Sequence, residues 1–247
     1  YLCLMEQKDW FASWFDTSYY HLLYQHRSEE EAQAFIERIV KFLDLEPQTK
    51  VLDLACGKGR HARTLHALGL QVLGTDLSEQ SIHFAQQSAT EGLRFLVHDM
   101  REPLTNERFG AIFNLFTSFG YFDDTSDNQR VIDAIAEMLL PDGILVIDFL
   151  NAQHVRDTLV ASEVAQRGPI TFDINREIAH GKVVKRIDFK DQGNNFHFQE
   201  QVQLLELADF NKLLQKQFDV RYTFGDYALN AYESSSSPRL ILIAFKK

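Results

Sequence analysis

The stretch VLDLACGKGR, residues 51–60, decides how this chain folds. Val51, Leu52 and Leu54 form the short apolar run of a strand covered on both faces. Asp53 interrupts that run with a charge, and Gly57 and Gly59 follow in a turn that opens a helical pattern. Glycines in such a turn let the backbone bend tightly and let a ligand approach it, the arrangement that holds nucleotide-like molecules. Asp53 stands four residues before the first of these glycines. Its carboxylate would repel a diphosphate bridge and attract the ammonium of an amino acid, so charge selects between ligand classes.

Outward from this turn, short apolar runs alternate with helical patterns. Strands are expected at 51–54, 71–75, 94–98, 111–116 and 144–149. Such alternation implies parallel strands with right-handed crossovers. Gly69 ends the first crossover helix, Ser78 caps the second, and Pro141, Asp142 and Gly143 form the turn before the fifth strand. Before the turn, residues 9–45 read as two helices. The second has a capping box at Ser28 and Glu31 and an apolar stripe through Ala32, Phe35, Ile36, Ile39, Val40 and Leu43. The first is rich in aromatics, from Trp10 to Tyr24, and reads either as a lid over a ligand or as a packing face. After residue 151 the period changes to two, and residues 170–207 read as an inserted antiparallel ribbon turning at Gly193 and Asn194. A helix is expected at 207–218, closing strands at 220–224 and 240–245, and a mobile loop at 234–237.

Composition bounds the function. The chain has 247 residues, 45% of them hydrophobic, and 5 prolines, which suits one domain over 1–247 with a helical lid at 1–45. A net charge of −10 argues against a broad nucleic-acid footprint. Cys3 and Cys56 make no disulfide or metal framework, which fits a reducing cytoplasm, and no metal is expected. No apolar run reaches the roughly 18 residues of a membrane span, so no membrane association is expected. Met5 opens the sequence MEQKDWFASWF, which places residues 1–4 upstream of the expected natural start.

These motifs resemble the class I S-adenosylmethionine (SAM)-dependent methyltransferases, and the resemblance covers nearly the whole chain. It implies an α/β, Rossmann-like fold: a seven-stranded, mostly parallel sheet with helices on both faces and one antiparallel strand, besides the inserted ribbon. It also implies SAM as cofactor across the carboxyl ends of the first strands. The backbone of the motif Asp53, Ala55, Gly57, Gly59 would touch the methionine part around Ala55 and Gly57, while Asp53 helps to hold the ammonium. Asp76, followed by Leu77, would accept both ribose hydroxyls, although an Asp before Ser78 also suits a helix cap. Asp99 would accept from the adenine amino group with Met100 on the ring, or else pair with Arg101. Leu115 and Phe116 would flank the adenine or methionine portion, and Thr117, Ser118 and Tyr121 would line the entrance. Asn114 is either functional or a buried amide satisfied by backbone. In small-molecule members, including amino-sugar N-methyltransferases, a lid Tyr and then an Arg reach the cofactor. Tyr19, or Tyr20, and Arg27 stand at that spacing, with a salt bridge from Arg27 to Glu29, Glu30 or Glu31 as its other reading.

The implied activity is methyl transfer from SAM to a small-molecule acceptor, with no single catalytic base required. His154, His180 and His197 are possible proton acceptors. Other readings stay open. A tRNA methyltransferase would use Arg156, Arg167, Arg176, Lys182, Lys185 and Arg186. A binding module would hold SAM without turnover. An NAD-dependent oxidoreductase is suggested because Gly57, Gly59 and Ala62 satisfy its GxGxxA pattern.

Overall fold

The computed structural model describes residues 10–25 and 29–247. The readings at Cys3, Met5, Arg27 and Ser28 lie outside the described residues. The chain opens with α1 (Trp10–Phe15), α2 (Ser18–Leu23) and α3 (Glu29–Leu43). The aromatic stretch is therefore two helices rather than one. Thr17 makes the break, because its Oγ1 accepts the Tyr20 N–H at 3.1 Å and caps α2.

Alternation follows through β1 (Lys50–Leu54), α4 (Arg60–Ala67), β2 (Gln71–Asp76), α5 (Glu79–Gln86), β3 (Leu93–Val97), β4 (Phe109–Asn114), α6 (Thr125–Met138) and β5 (Leu139–Leu150). Then come α7 (Ala152–Thr158) and the strands β6 (Ser162–Arg167), β7 (Ile170–Ala179), β8 (Lys182–Asp191) and β9 (Asn194–Gln203). The chain closes with α8 (Leu207–Leu214), β10 (Phe218–Phe224) and β11 (Arg239–Lys246).

The main sheet has seven strands in the order β10-β11-β5-β4-β1-β2-β3. All its pairings are parallel except those of β11, which runs antiparallel to both β5 and β10. Alternate residues feed two cores. Val51, Phe113 and Val146 pack with α3, α4 and α5, whereas Leu52, Ile112 and Leu145 pack with α6 and α8. Strand order reverses between β1 and β4, and such a reversal opens a crevice beyond the carboxyl ends of the strands. Among the described residues, no helix is long and apolar enough to cross a membrane.

Four expectations need correction. The ribbon is a four-stranded antiparallel sheet that begins at β6, upstream of residue 170. The Pro141–Gly143 turn lies within β5 as an irregularity, where the register with β4 shifts and Asp142 takes a φ of 58°. The helix expected to reach residue 218 ends at Leu214, where the chain turns into β10. Residues 234–237 are held in place rather than free. Asn151 Nδ2 donates to the carbonyls of Ser234 and Ser237, at 2.9 and 2.7 Å, and Ser237 is buried.

Candidate functional site

The turn between β1 and α4 is held by its own backbone. Ala55, Gly57 and Gly59 take positive φ values of 63°, 54° and 77°. The Cys56 N–H donates to the Thr75 carbonyl at 2.8 Å, which ties the turn to β2. A Cβ built on Gly57 would meet nothing within 4 Å, so the turn leaves open space in front of it. A Cβ on Gly59 would strike the Phe95 ring at 2.6 Å, so this glycine serves packing and does not line the crevice.

Asp76, at the tip of β2, faces the turn. Its Oδ2 accepts the Gly57 N–H at 2.8 Å and its Oδ1 accepts the Ser78 N–H at 2.9 Å. Burial raises its carboxyl above the ordinary carboxylate range. The cap of α5 belongs to Ser78, whose Oγ accepts the Ser81 N–H. Asp16, between α1 and α2, accepts from Ser78 Oγ and the Gln80 N–H at 2.7 and 2.8 Å, so the segment joining α1 and α2 is anchored at the start of α5.

Asp53 lies behind the turn and does not line the cavity, which corrects the expectation of an open contact with a ligand's ammonium. Only 1% of it is exposed. Its carboxylate accepts the Ala62 N–H in the first turn of α4, supplying the cap that Gly59 lacks. Its Oδ2 has no hydrogen-bond partner among the described residues. Burial, with the nearby Asp76 charge, raises this carboxyl to about 7.

The crevice holds a cavity of about 640 Å³. It brings together Ala55, Gly57, Asp76, Leu77 and Asp99 from the β1–β3 side, and Met100, Leu115 and Phe116 beyond them. Thr117, Ser118 and Tyr121 also line it. Asp99 carries both features expected of it: it faces the cavity and pairs with Arg101 at 2.6 Å, and Arg101 also reaches Asp127. Asn114 Nδ2 donates to the carbonyls of Leu54 and Ser118, the backbone-satisfied arrangement. Of the two candidate tyrosines of α2, Tyr20 lines the cavity. Tyr19 points elsewhere: its OH donates to Asp191 at 2.9 Å and its ring packs on Phe189 and Phe196.

His154, His180 and His197 do not line the cavity, and His197 pairs with Asp188. His21, His61 and His98 do, and none of the three was expected there. Burial, followed by the Lys58 charge, lowers His21 to about 4, so it is neutral at physiological pH. Glu200 of β9 also reaches the cavity. The signal for it was present: Phe196, Phe198, Glu200 and Val202 share one face of a strand, so a charge interrupts an apolar row. Most basic residues around the inserted sheet are matched by acids, in the pairs Arg156–Glu206, Arg176–Glu163, Lys182–Asp123, Lys185–Glu200 and Arg186–Glu177.

Residues 51–143 match the family described as methyltransferase domain. YqeM of Bacillus subtilis (strain 168) is 26% identical over 78% of this chain and 84% of its own length. The dTDP-3-amino-3,4,6-trideoxy-alpha-D-glucopyranose N,N-dimethyltransferase of Streptomyces venezuelae is 22% identical over 79% of this chain and 82% of its own. The crystal structure of a SAM-dependent methyltransferase from Clostridium acetobutylicum superposes with a TM-score of 0.77 and 18% identity, covering 95% of this chain and 97% of that one. Residues 51–143 thus match a methyltransferase-domain model, and the chain shares the fold of the SAM-dependent methyltransferase from Clostridium acetobutylicum.

Proposed function

We propose that this chain transfers a methyl group from SAM to a small-molecule acceptor, as one domain whose lid is formed by α1, α2 and the inserted sheet, with α3 packed in the core. The observation that carries this reading is the crevice at the carboxyl ends of β1 to β4. There the open face of Gly57 and the Asp76 carboxylate border a cavity of about 640 Å³, a volume suited to a nucleoside with an amino-acid arm. When bound, SAM would supply an activated methyl group on a sulfonium.

The chain's own residues would bind and align. Asp76 would accept the ribose hydroxyls, the backbone at Ala55 and Gly57 would take the amino-acid arm, and Asp99 with Met100 and Leu77 would border the adenine. Leu115 and Phe116 would flank the adenine or methionine portion, and Tyr20 would close the lid above the cofactor. Holding a nucleophile in line with the methyl group then supplies most of the rate gain. The ion pairs that match the basic residues of the inserted sheet leave little free positive charge for RNA, which supports a small acceptor over a nucleic acid. A buried free thiol at Cys56 suits the cytoplasm as the place of action.

The test is to incubate the protein with methyl-labelled SAM and either the small-molecule or the RNA fraction of a cell extract. Label is expected in a small molecule, with matching release of S-adenosylhomocysteine. Label entering RNA alone would contradict the proposal.

A further inference from the structure

The lid side of the cavity has a chemistry that nucleotide binding leaves unexplained. Trp10, Phe15, Tyr20, Tyr24 and Tyr121 line it and touch ring to ring, with centroids 4.9 Å apart for Phe15–Tyr20 and Tyr20–Tyr24 and 5.3 Å for Phe15–Tyr121. Glu200 stands at the end of this wall. Its carboxylate accepts from Trp14 Nε1 at 2.7 Å and from the Tyr24 hydroxyl.

Lys185 lies opposite Glu200 in the β8–β9 register. Its ammonium is 3.6 Å from Glu200 and 4.4 Å from the centre of the Tyr24 ring. Lys185 Nζ also donates to the Tyr24 hydroxyl, so a cation already rests against this carboxylate and this phenol, while Glu200 and Tyr24 both line the cavity. Lys58, Arg60 and Arg63, the cavity's Lys and Arg residues, all come from the turn and α4. Ring faces beside a carboxylate favour a cation over a neutral molecule of equal shape.

We propose that this wall receives an amine as methyl acceptor and that Glu200 selects it. The inference rests on the methyl-transfer reading above. The lone pair of a neutral amine forms the new N–C bond while the S–C bond breaks and leaves its electron pair on sulfur. Positive charge passes from sulfur to nitrogen. A primary or secondary amine then releases a proton to water, and a tertiary amine keeps the charge as a quaternary ammonium. The charge on nitrogen arises only as transfer proceeds, so Glu200 and the ring faces favour the transition state and product over the bound amine.

Choline and its uncharged isostere 3,3-dimethylbutan-1-ol test this directly. Each is titrated into the protein saturated with S-adenosylhomocysteine, with the fluorescence of Trp10 and Trp14 as readout. Choline is expected to bind about tenfold more tightly than the isostere, and Glu200→Gln to cut that preference to about twofold. Equal affinities in the unsubstituted protein would overturn the proposal, and this comparison decides the matter even if the variant fails to fold. If S-adenosylhomocysteine binds and choline shows no preference, only the amine assignment falls. If S-adenosylhomocysteine does not bind at all, the methyl-transfer reading falls with it.

Discussion

The Arg239 guanidinium and the Asp148 carboxylate meet 2.7 Å apart, with Asp148 only 1% exposed. Together they hold the far wall of the cavity. Asp148 Oδ2 accepts the Phe116 N–H at 2.8 Å, and Arg239 Nη2 donates to Thr117 Oγ1 at 3.0 Å. Phe116 and Thr117 are consecutive left-handed residues, with φ values of 60° and 64°. A bulky and a β-branched residue in this region persist only when their surroundings fix them.

Removing the cation should therefore be costly, because it strands a buried carboxylate. Arg239→Met is expected to lower unfolding stability by about 3 kcal/mol in urea denaturation. A loss below about 1 kcal/mol would show that the pair is not holding the strained turn.

Asp53 predicts a pH signature. Its carboxyl lies at about 7 in the folded protein against a reference of 3.8, with burial as the main cause. Between these values the folded state keeps a proton that the unfolded chain gives up, so this residue subtracts stability as pH rises through that window. Asp53→Asn removes the titration while leaving an oxygen for the Ala62 N–H. Its melting temperature should gain on that of the unsubstituted protein as pH rises from 4 to 7. A constant difference across the range would contradict the raised value.

Asp76→Ala should weaken SAM binding by about 1–3 kcal/mol, since the ribose hydroxyls would lose a charged acceptor. Calorimetry gives the answer, and an unchanged dissociation constant would remove Asp76 from the ribose role.

Gly57→Val places a branched side chain into space the turn leaves open, at a backbone φ of 54° that valine resists. A folded variant, verified by circular dichroism, should show no measurable SAM binding. Ordinary affinity would mean that the ligand does not approach this turn.

What could be read in the chain follows from how local each requirement is. Residues 51–60 were legible because a covered strand and a tight turn leave their marks within ten residues, and Asp76 stands at the end of the next strand. β6 was not, because SEVAQR buries only Ala165 and leaves Val164 in solvent, so no alternation betrays it. Tyr19 and Tyr20 could not be separated, since neighbours on a helix differ by about 100° in direction and only packing decides which one faces inward. The break at Thr17 was hidden by aromatics that continue on both sides of it. Glu200 needed a partner strand before its position at the cavity had meaning.

The proposed function requires the turn after β1 to accept an adenosyl group carrying an ammonium rather than a dinucleotide. Calorimetric titration of the purified protein with SAM, S-adenosylhomocysteine and NAD separates the two. SAM and S-adenosylhomocysteine should bind with one molecule per chain while NAD gives no heat of binding; saturable binding of NAD with none of SAM would contradict it.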